Sequence, residues 1–133
     1  MAFFVYHKDM KTIDFANKDE VSFYCFDVDL TVSLEIAGSV SVQDNVPESA
    51  DTAIADTALA SVIDSINKAS GEYRLDALAT FNDTFCAAAN EAIKTTCGVD
   101  AETTISYIRP TDESYQELRA AMERKIKRQM LGL

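Results

Sequence analysis

Residues 24–42 read YCFDVDLTVSLEIAGSVSV, and this stretch decides the fold. Its even-numbered residues are apolar except for Gly38, and its odd-numbered residues are polar or small. An alternation with a period of two residues is typical of a strand that packs one face on a core and turns the other to water. Because Gly38 leaves the parity unchanged, we predict one long antiparallel strand that bends there, or two strands joined by an odd-length loop centred on Gly38.

The residues before this stretch predict a β-hairpin. Short apolar runs at residues 3–6 and 12–16 flank the polar residues 7–11, which are suited to a turn. A second polar group at residues 17–20 predicts another turn. The chain therefore begins with a β region, residues 1–43, whose last strand is the long alternating one.

Beyond the β region the apolar period changes to between three and four residues, as in amphipathic helices. Residues 49–97 contain two such helices, and residues 99–108 alternate again as a weaker strand. We predict a charged C-terminal helix over residues 111–131 that starts at Thr111 or at Ser114, and Ser114 and Glu117 have the spacing of a capping box. The predicted order is thus β-β-β-α-α-β-α.

Strands that come first, with helices after them, indicate an α+β protein with a mostly antiparallel sheet and helices packed on one face. The hydrophobic content of 47% fits a globular chain, and 133 residues suffice for one core. We therefore predict a single α+β domain over residues 1–133.

Charge is distributed unevenly along the chain, which has a net charge of -10. Residues 1–108 carry 6 Lys and Arg against 18 Asp and Glu, a net -12, whereas residues 109–133 carry 6 against 4, a net +2. The acidic body argues against nucleic-acid binding, which needs a basic face. The basic end suits an acidic partner, the acidic body of a neighbouring copy or an anionic surface.

The reactive residue types predict neither a catalytic centre nor a bound metal or cofactor. Cys25, Cys86 and Cys97 are an odd set without the spacing of a disulfide framework or a zinc site. His7 is the only histidine and has no nucleophile pattern near it. We expect a soluble protein, because no apolar stretch is long enough to span a bilayer. We also expect it to be cytoplasmic and not to be an enzyme.

Two groups of side chains are candidates for small-molecule sites. Three carboxylates on the alternating strand are favoured as a solvated acidic face over a cation site or an acid/base pair, because no histidine joins them. They are Asp27, Asp29 and Glu35. A small pocket with an arginine as an anion contact is the other candidate. Its residues would be Tyr24, Phe26, Tyr107 and Arg109.

The C-terminal helix is the preferred candidate for a functional surface. Apolar residues recur along it at helical spacing, namely Tyr115, Leu118, Met122, Ile126 and Met130. An apolar stripe must be buried against something, which is either the protein's own sheet or another subunit. We predict that the far end of the helix contributes the partner contact through Arg119, Arg124, Lys125, Ile126, Lys127, Arg128 and Met130.

The run YIRPTDES at residues 107–114, leading into RAAMERK at residues 119–125, resembles the SPFH (band 7) domain of stomatin, prohibitin and flotillin relatives. Gly98 before a strand and the leucine-bearing LDAL at residues 75–78 are also similar to that family. The resemblance covers roughly residues 23–130. It implies a non-enzymatic scaffold or adaptor domain that assembles with other copies.

The family usually carries an N-terminal membrane anchor and a long C-terminal coiled coil, and neither is found in this sequence. We therefore expect any membrane association to come through a partner. The favoured hypothesis is a self-associating homo-oligomeric scaffold. A ligand-binding or enzymatic α+β domain with a pocket between sheet and helices is the alternative, and a structural protein of a phage or other particle is a further one.

Overall fold

Two antiparallel strands of equal length form the frame of the protein. In the computed structural model, which describes residues 9–69 and 81–132, β1 spans Met10–Cys25 and β2 spans Val28–Gln43. A short 3-10 helix, Glu48–Ala50, leads into α1, and α2, β3 and α3 follow. α1 spans Asp51–Lys68, and α2 spans Asn82–Cys97. β3 spans Glu102–Pro110, and α3 spans Asp112–Met130.

The strand predicted over residues 24–42 is in fact interrupted near its start by a tight turn. Phe26 and Asp27 have φ values of 52° and 65°, and Cys25 pairs with Val28. A two-residue loop with two positive φ angles is the type I′ turn that joins antiparallel strands. The prediction of one continuous strand was therefore wrong at residues 24–27, and it holds from Val28 onward.

The sequence pattern does not indicate this turn, because aromatic residues continue the apolar alternation across it. The residues that face the core nevertheless change from odd-numbered to even-numbered at the turn. In β1 the core face carries odd-numbered residues such as Val21, whereas in β2 it carries even-numbered ones such as Val32. Tyr24 continues the even series in the sequence, yet it lies on the other face and is 44% exposed. No Asn-Gly pair marks the turn, and Phe26 occupies a position that glycine or asparagine usually takes.

The turn predicted at residues 17–20 is also wrong, because β1 runs straight through it. Lys18 pairs with Glu35, so opposite charges face each other across the two strands. Asn17 and Asp19 are polar residues on the core side of β1, and neither is fully buried. Among the three strands described, β1 lies at the edge of the sheet, where polar side chains can reach water. The predicted strand at residues 3–6 lies outside the described residues.

β3 completes a three-stranded antiparallel sheet in the order β1-β2-β3. A bulge occurs where Gly38 pairs with Ile105 but Ala37 pairs with Tyr107. The extra residue moves Tyr107 to the outer face, although the alternation had grouped it with Ile105. Gly38 is required here, because a Cβ atom would lie 2.4 Å from the Thr104 carbonyl oxygen and 2.7 Å from the Phe15 ring.

The three α-helices in the described part of the chain pack on the face of the sheet that carries the buried residues of β2. α1 packs against β1 and β2, α2 against α1 and β3, and α3 against β2 and β3. Residues at helical spacing on α1 and α2 are fully buried, namely Ile54, Ala58, Val62, Ile66, Phe85, Ala89 and Ile93. The protein is an α+β fold with an antiparallel sheet and helices on one face, as the sequence predicts.

Candidate functional site

The start of α3 is fixed to β2 by backbone and side-chain hydrogen bonds. The Thr111 N–H donates to the Ser33 carbonyl oxygen at 2.9 Å, and the Ser33 N–H donates to Ser114 Oγ at 2.8 Å. Thr111 Oγ1 also accepts from the Ser114 N–H at 3.4 Å, which makes Thr111 the N-cap residue. The predicted capping box at Ser114 and Glu117 was therefore wrong, because Ser114 already lies within the helix and is buried.

From this anchor α3 follows the N-terminal half of β2 toward the hairpin turn. Ser114, Leu118 and Ala121 are buried, and Lys125 Nζ reaches to 3.7 Å from Asp27 Oδ1. The rise from the helix start to Lys125 is roughly 20 Å. The strand distance from Ser33 to the turn is also roughly 20 Å. The helix therefore matches the length of the strand segment that β3 leaves unpaired.

A second, apolar side of α3 remains in water. Tyr115 is 51% exposed, Met122 39%, Ile126 46% and Met130 82%. Of the five residues in the predicted stripe, Leu118 alone is buried against the sheet. We call the four exposed residues the α3 stripe. Its position next to the buried side means that the helix presents two apolar surfaces, one used by the fold and one open.

The predicted basic residues surround this stripe and the end of the helix. Arg119 Nε pairs with Glu123 Oε1 at 3.2 Å, an exposed contact between successive turns. Three further basic side chains are exposed and border a shallow depression of about 340 Å³. These are Arg124, Lys127 and Arg128, and the depression also includes Val28 and Leu131. The part played by Val28 was not predicted, since nothing in the sequence indicated that the hairpin turn lies beside the end of the helix.

The predicted pocket is not assembled. Tyr24 pairs with Asp29, whereas Arg109 pairs with Glu35, six residues farther along β2 and roughly 20 Å away. Arg109 instead stacks on the Tyr107 ring at 4.2 Å and contacts Glu35 Oε2 at 3.0 Å. The structure therefore brings the Tyr107 and Arg109 pair together on the outer sheet face, and it leaves Tyr24 and Phe26 at the hairpin turn.

The predicted acidic face is divided in the same way. Asp27 lies in the turn beside Lys125, and Glu35 is engaged by Arg109. Within residues 9–69 and 81–132, no group of three or more His, Cys, Asp or Glu side chains could hold a metal ion. Burial raises the pKa of the Cys86 thiol, which disfavours the thiolate form that a nucleophile needs. The Asp27 and Glu35 carboxylates therefore lie apart, each beside a basic side chain.

Comparison with protein-family models, with curated proteins and with solved structures finds no match to this chain. None of the helices described is long and apolar enough to cross a membrane. The geometry and charge of the protein's own surface are therefore the basis for proposing a function, and α3 carries several of the exposed large apolar side chains.

Proposed function

We propose that this protein is a non-enzymatic scaffold or adaptor domain that self-associates through α3. The observation that carries the proposal is the α3 stripe, whose four large apolar side chains are between 39% and 82% exposed. Contiguous exposed apolar residues that are bordered by polar ones mark protein contact sites. Methionine and tyrosine are well suited to such contacts, because they adapt their shape or add a polar group to a large apolar one.

Charge favours another copy of this chain as the partner. The helix carries most of the positive charge of the C-terminal region, while residues 1–108 have a net charge of -12. The basic surface attracts the acidic body of a second copy, whereas the acidic body opposes the approach of the molecule to an anionic membrane. The SPFH resemblance implies the same kind of assembly and stays a prediction.

Light scattering coupled to size exclusion tests the proposal at low and at high salt. We expect a discrete oligomer whose mass falls as salt rises, because screening weakens contacts between charged surfaces. Ile126→Glu should give a monomer, since it places a charge in the centre of the apolar stripe. Thr52→Glu adds the same charge at an exposed position of α1 and should leave the mass unchanged.

Two results would contradict the proposal. A wild-type protein that is monomeric at every concentration and salt would exclude self-association. An oligomer that survives Ile126→Glu unchanged would show that the contact lies elsewhere on the molecule. Circular dichroism of both variants checks that the fold is retained.

A further inference from the structure

We infer that α3 pairs antiparallel with α3 of a second copy, around a two-fold axis between residues 120 and 121. This inference rests on the proposed self-association and specifies its geometry. The residues along the exposed side are spaced four, three and four apart, as in the seam of two packed helices. These residues are Tyr115, Arg119, Met122 and Ile126. Such a seam matches itself when it is reversed, with Tyr115 opposite Ile126 and Arg119 opposite Met122 of the second copy.

Charge selects the antiparallel direction over the parallel one. Three of the four acidic residues of the helix lie in its first third, namely Asp112, Glu113 and Glu117, and the fourth is Glu123. Four of the five basic residues lie in its last third, namely Arg124, Lys125, Lys127 and Arg128, and of these Lys125 already contacts Asp27 of its own chain. Antiparallel pairing places the acidic third of each helix beside the basic third of the other, and parallel pairing would place like charges together. The helix dipoles favour the same direction, because opposite ends become neighbours.

Arg119 fixes the register of the pair. A charged residue inside an apolar seam is tolerated only where a partner of opposite charge is within reach. Glu123 lies on the flank next to Arg119, and the two already form an exposed ion pair within one helix. In an antiparallel pair the same flanks of the two helices face each other. Arg119 of each copy therefore reaches Glu123 of the other, and a four-membered group of alternating charges forms at the two-fold axis.

Cysteine cross-linking measures this geometry directly. We would make Tyr115→Cys, Ile126→Cys and the double variant, oxidise each at high protein concentration, and identify linked peptides by mass spectrometry, with the wild type as the control for the native cysteines. A disulfide requires Cα atoms within about 7 Å. In the antiparallel pair, position 115 meets position 126, whereas two copies of position 115 are about 16 Å apart along the axis.

We expect the double variant, and an equimolar mixture of the two single variants, to give a dimer linked between positions 115 and 126. Each single variant alone should stay unlinked. Links between two copies of position 115 would establish parallel pairing and overturn the inference. No link in any sample would also overturn it and would place the partner surface of α3 on another part of the second copy, such as its acidic body.

Charge reversal supplies a second measurement. Arg119→Glu and Glu123→Arg should each weaken dimerisation at least tenfold in sedimentation equilibrium, and the double reversal should restore most of it. Unchanged dimerisation in both single variants would contradict the register. These failures differ from failure of the proposed function, since a wild-type protein that remains monomeric in light scattering would reject both, while an oligomer without the expected cross-link would reject the geometry alone.

Discussion

Two helices of this protein carry apolar residues at the same spacing but use them in opposite ways. On α1 the apolar residues spaced four apart are fully buried, and large side chains such as Ile54 and Ile66 belong to the core. On α3 the buried side has Ser114, Leu118 and Ala121, while the larger aromatic and methionine side chains remain outside. The comparison shows that a helical stripe in the sequence does not reveal which side of a helix the fold uses.

The hydrogen bonds that fix α3 to β2 account for the small side chains on its buried side. α3 begins with hydrogen bonds to the backbone of Ser33, so its first turns lie close to β2. Small side chains are needed on a side that approaches a strand this closely. The large residues of the α3 stripe lie on the adjoining side, where they are between 39% and 82% exposed. That exposure is the basis of the proposed self-association.

The largest difference in stability is expected when an isoleucine on each of the two helices is replaced by alanine. Ile66→Ala should lower the free energy of unfolding by about 2–5 kcal/mol, because it leaves a cavity in a fully buried site. Ile126→Ala should lower it by less than about 1 kcal/mol, because the side chain is already 46% exposed. Urea unfolding at low protein concentration measures both. Equal losses would show that the α3 stripe is buried in the monomer after all.

Close packing of α3 can be tested by enlarging a small residue. Ala121→Leu should destabilise the protein by about 1–3 kcal/mol, since Ala121 is 2% exposed and the added carbons have no space. Ala120→Leu is the matched control, because it makes the same change at a neighbouring, half-buried position. Leucine and alanine differ little in helix propensity, so the difference between the variants reports packing. A stabilising Ala121→Leu would mean that α3 lies farther from the sheet than described.

The hydrogen bond that anchors α3 should have a smaller effect. Ser114→Ala removes the acceptor of the Ser33 N–H and should cost about 1–2 kcal/mol, because that donor then lies partly buried without a partner. Ser106→Ala, at the exposed bulge of β3, should be nearly neutral. Thermal unfolding of the two variants gives the comparison. A neutral Ser114→Ala would show that water replaces the serine oxygen.

The sequence predicts the fold class well, since period-two and helical patterns report directly on burial. It does not predict the hairpin turn at Phe26 and Asp27, because Phe26 is not a usual type I′ turn residue and Tyr24 continues the apolar alternation of the following strand. Nor does it predict the bulge that turns Tyr107 outward, because one inserted residue leaves no compositional trace. Turns and bulges depend on pairing with a distant strand, and that information is not local.

The candidate surface on α3 could likewise be predicted from the sequence only in part. The charged helix and its apolar residues were predictable from spacing, and the structure places the basic residues Arg119, Arg124, Lys125, Lys127 and Arg128 on α3, exposed or half-buried. The spacing did not predict which side of α3 packs on the sheet, because Ser114 and Ala121 contribute little hydrophobicity to the pattern. The contact between Lys125 and Asp27 could not be predicted either, because it depends on a hairpin turn that the sequence pattern does not indicate.

The smallest predicted effect concerns the two buried polar side chains of β3 and α3. Ser114 Oγ has its hydrogen bond, whereas Thr103 Oγ1 is buried and has no hydrogen-bond partner among the residues that the structure describes. Thr103→Val keeps the branched shape and removes the unpaired hydroxyl, so it should raise the free energy of unfolding by up to about 1 kcal/mol. The two substitutions should therefore shift the melting temperature in opposite directions. A lower melting temperature for Thr103→Val would show that this hydroxyl is hydrogen-bonded in solution, and the contrast between the two sites would then disappear.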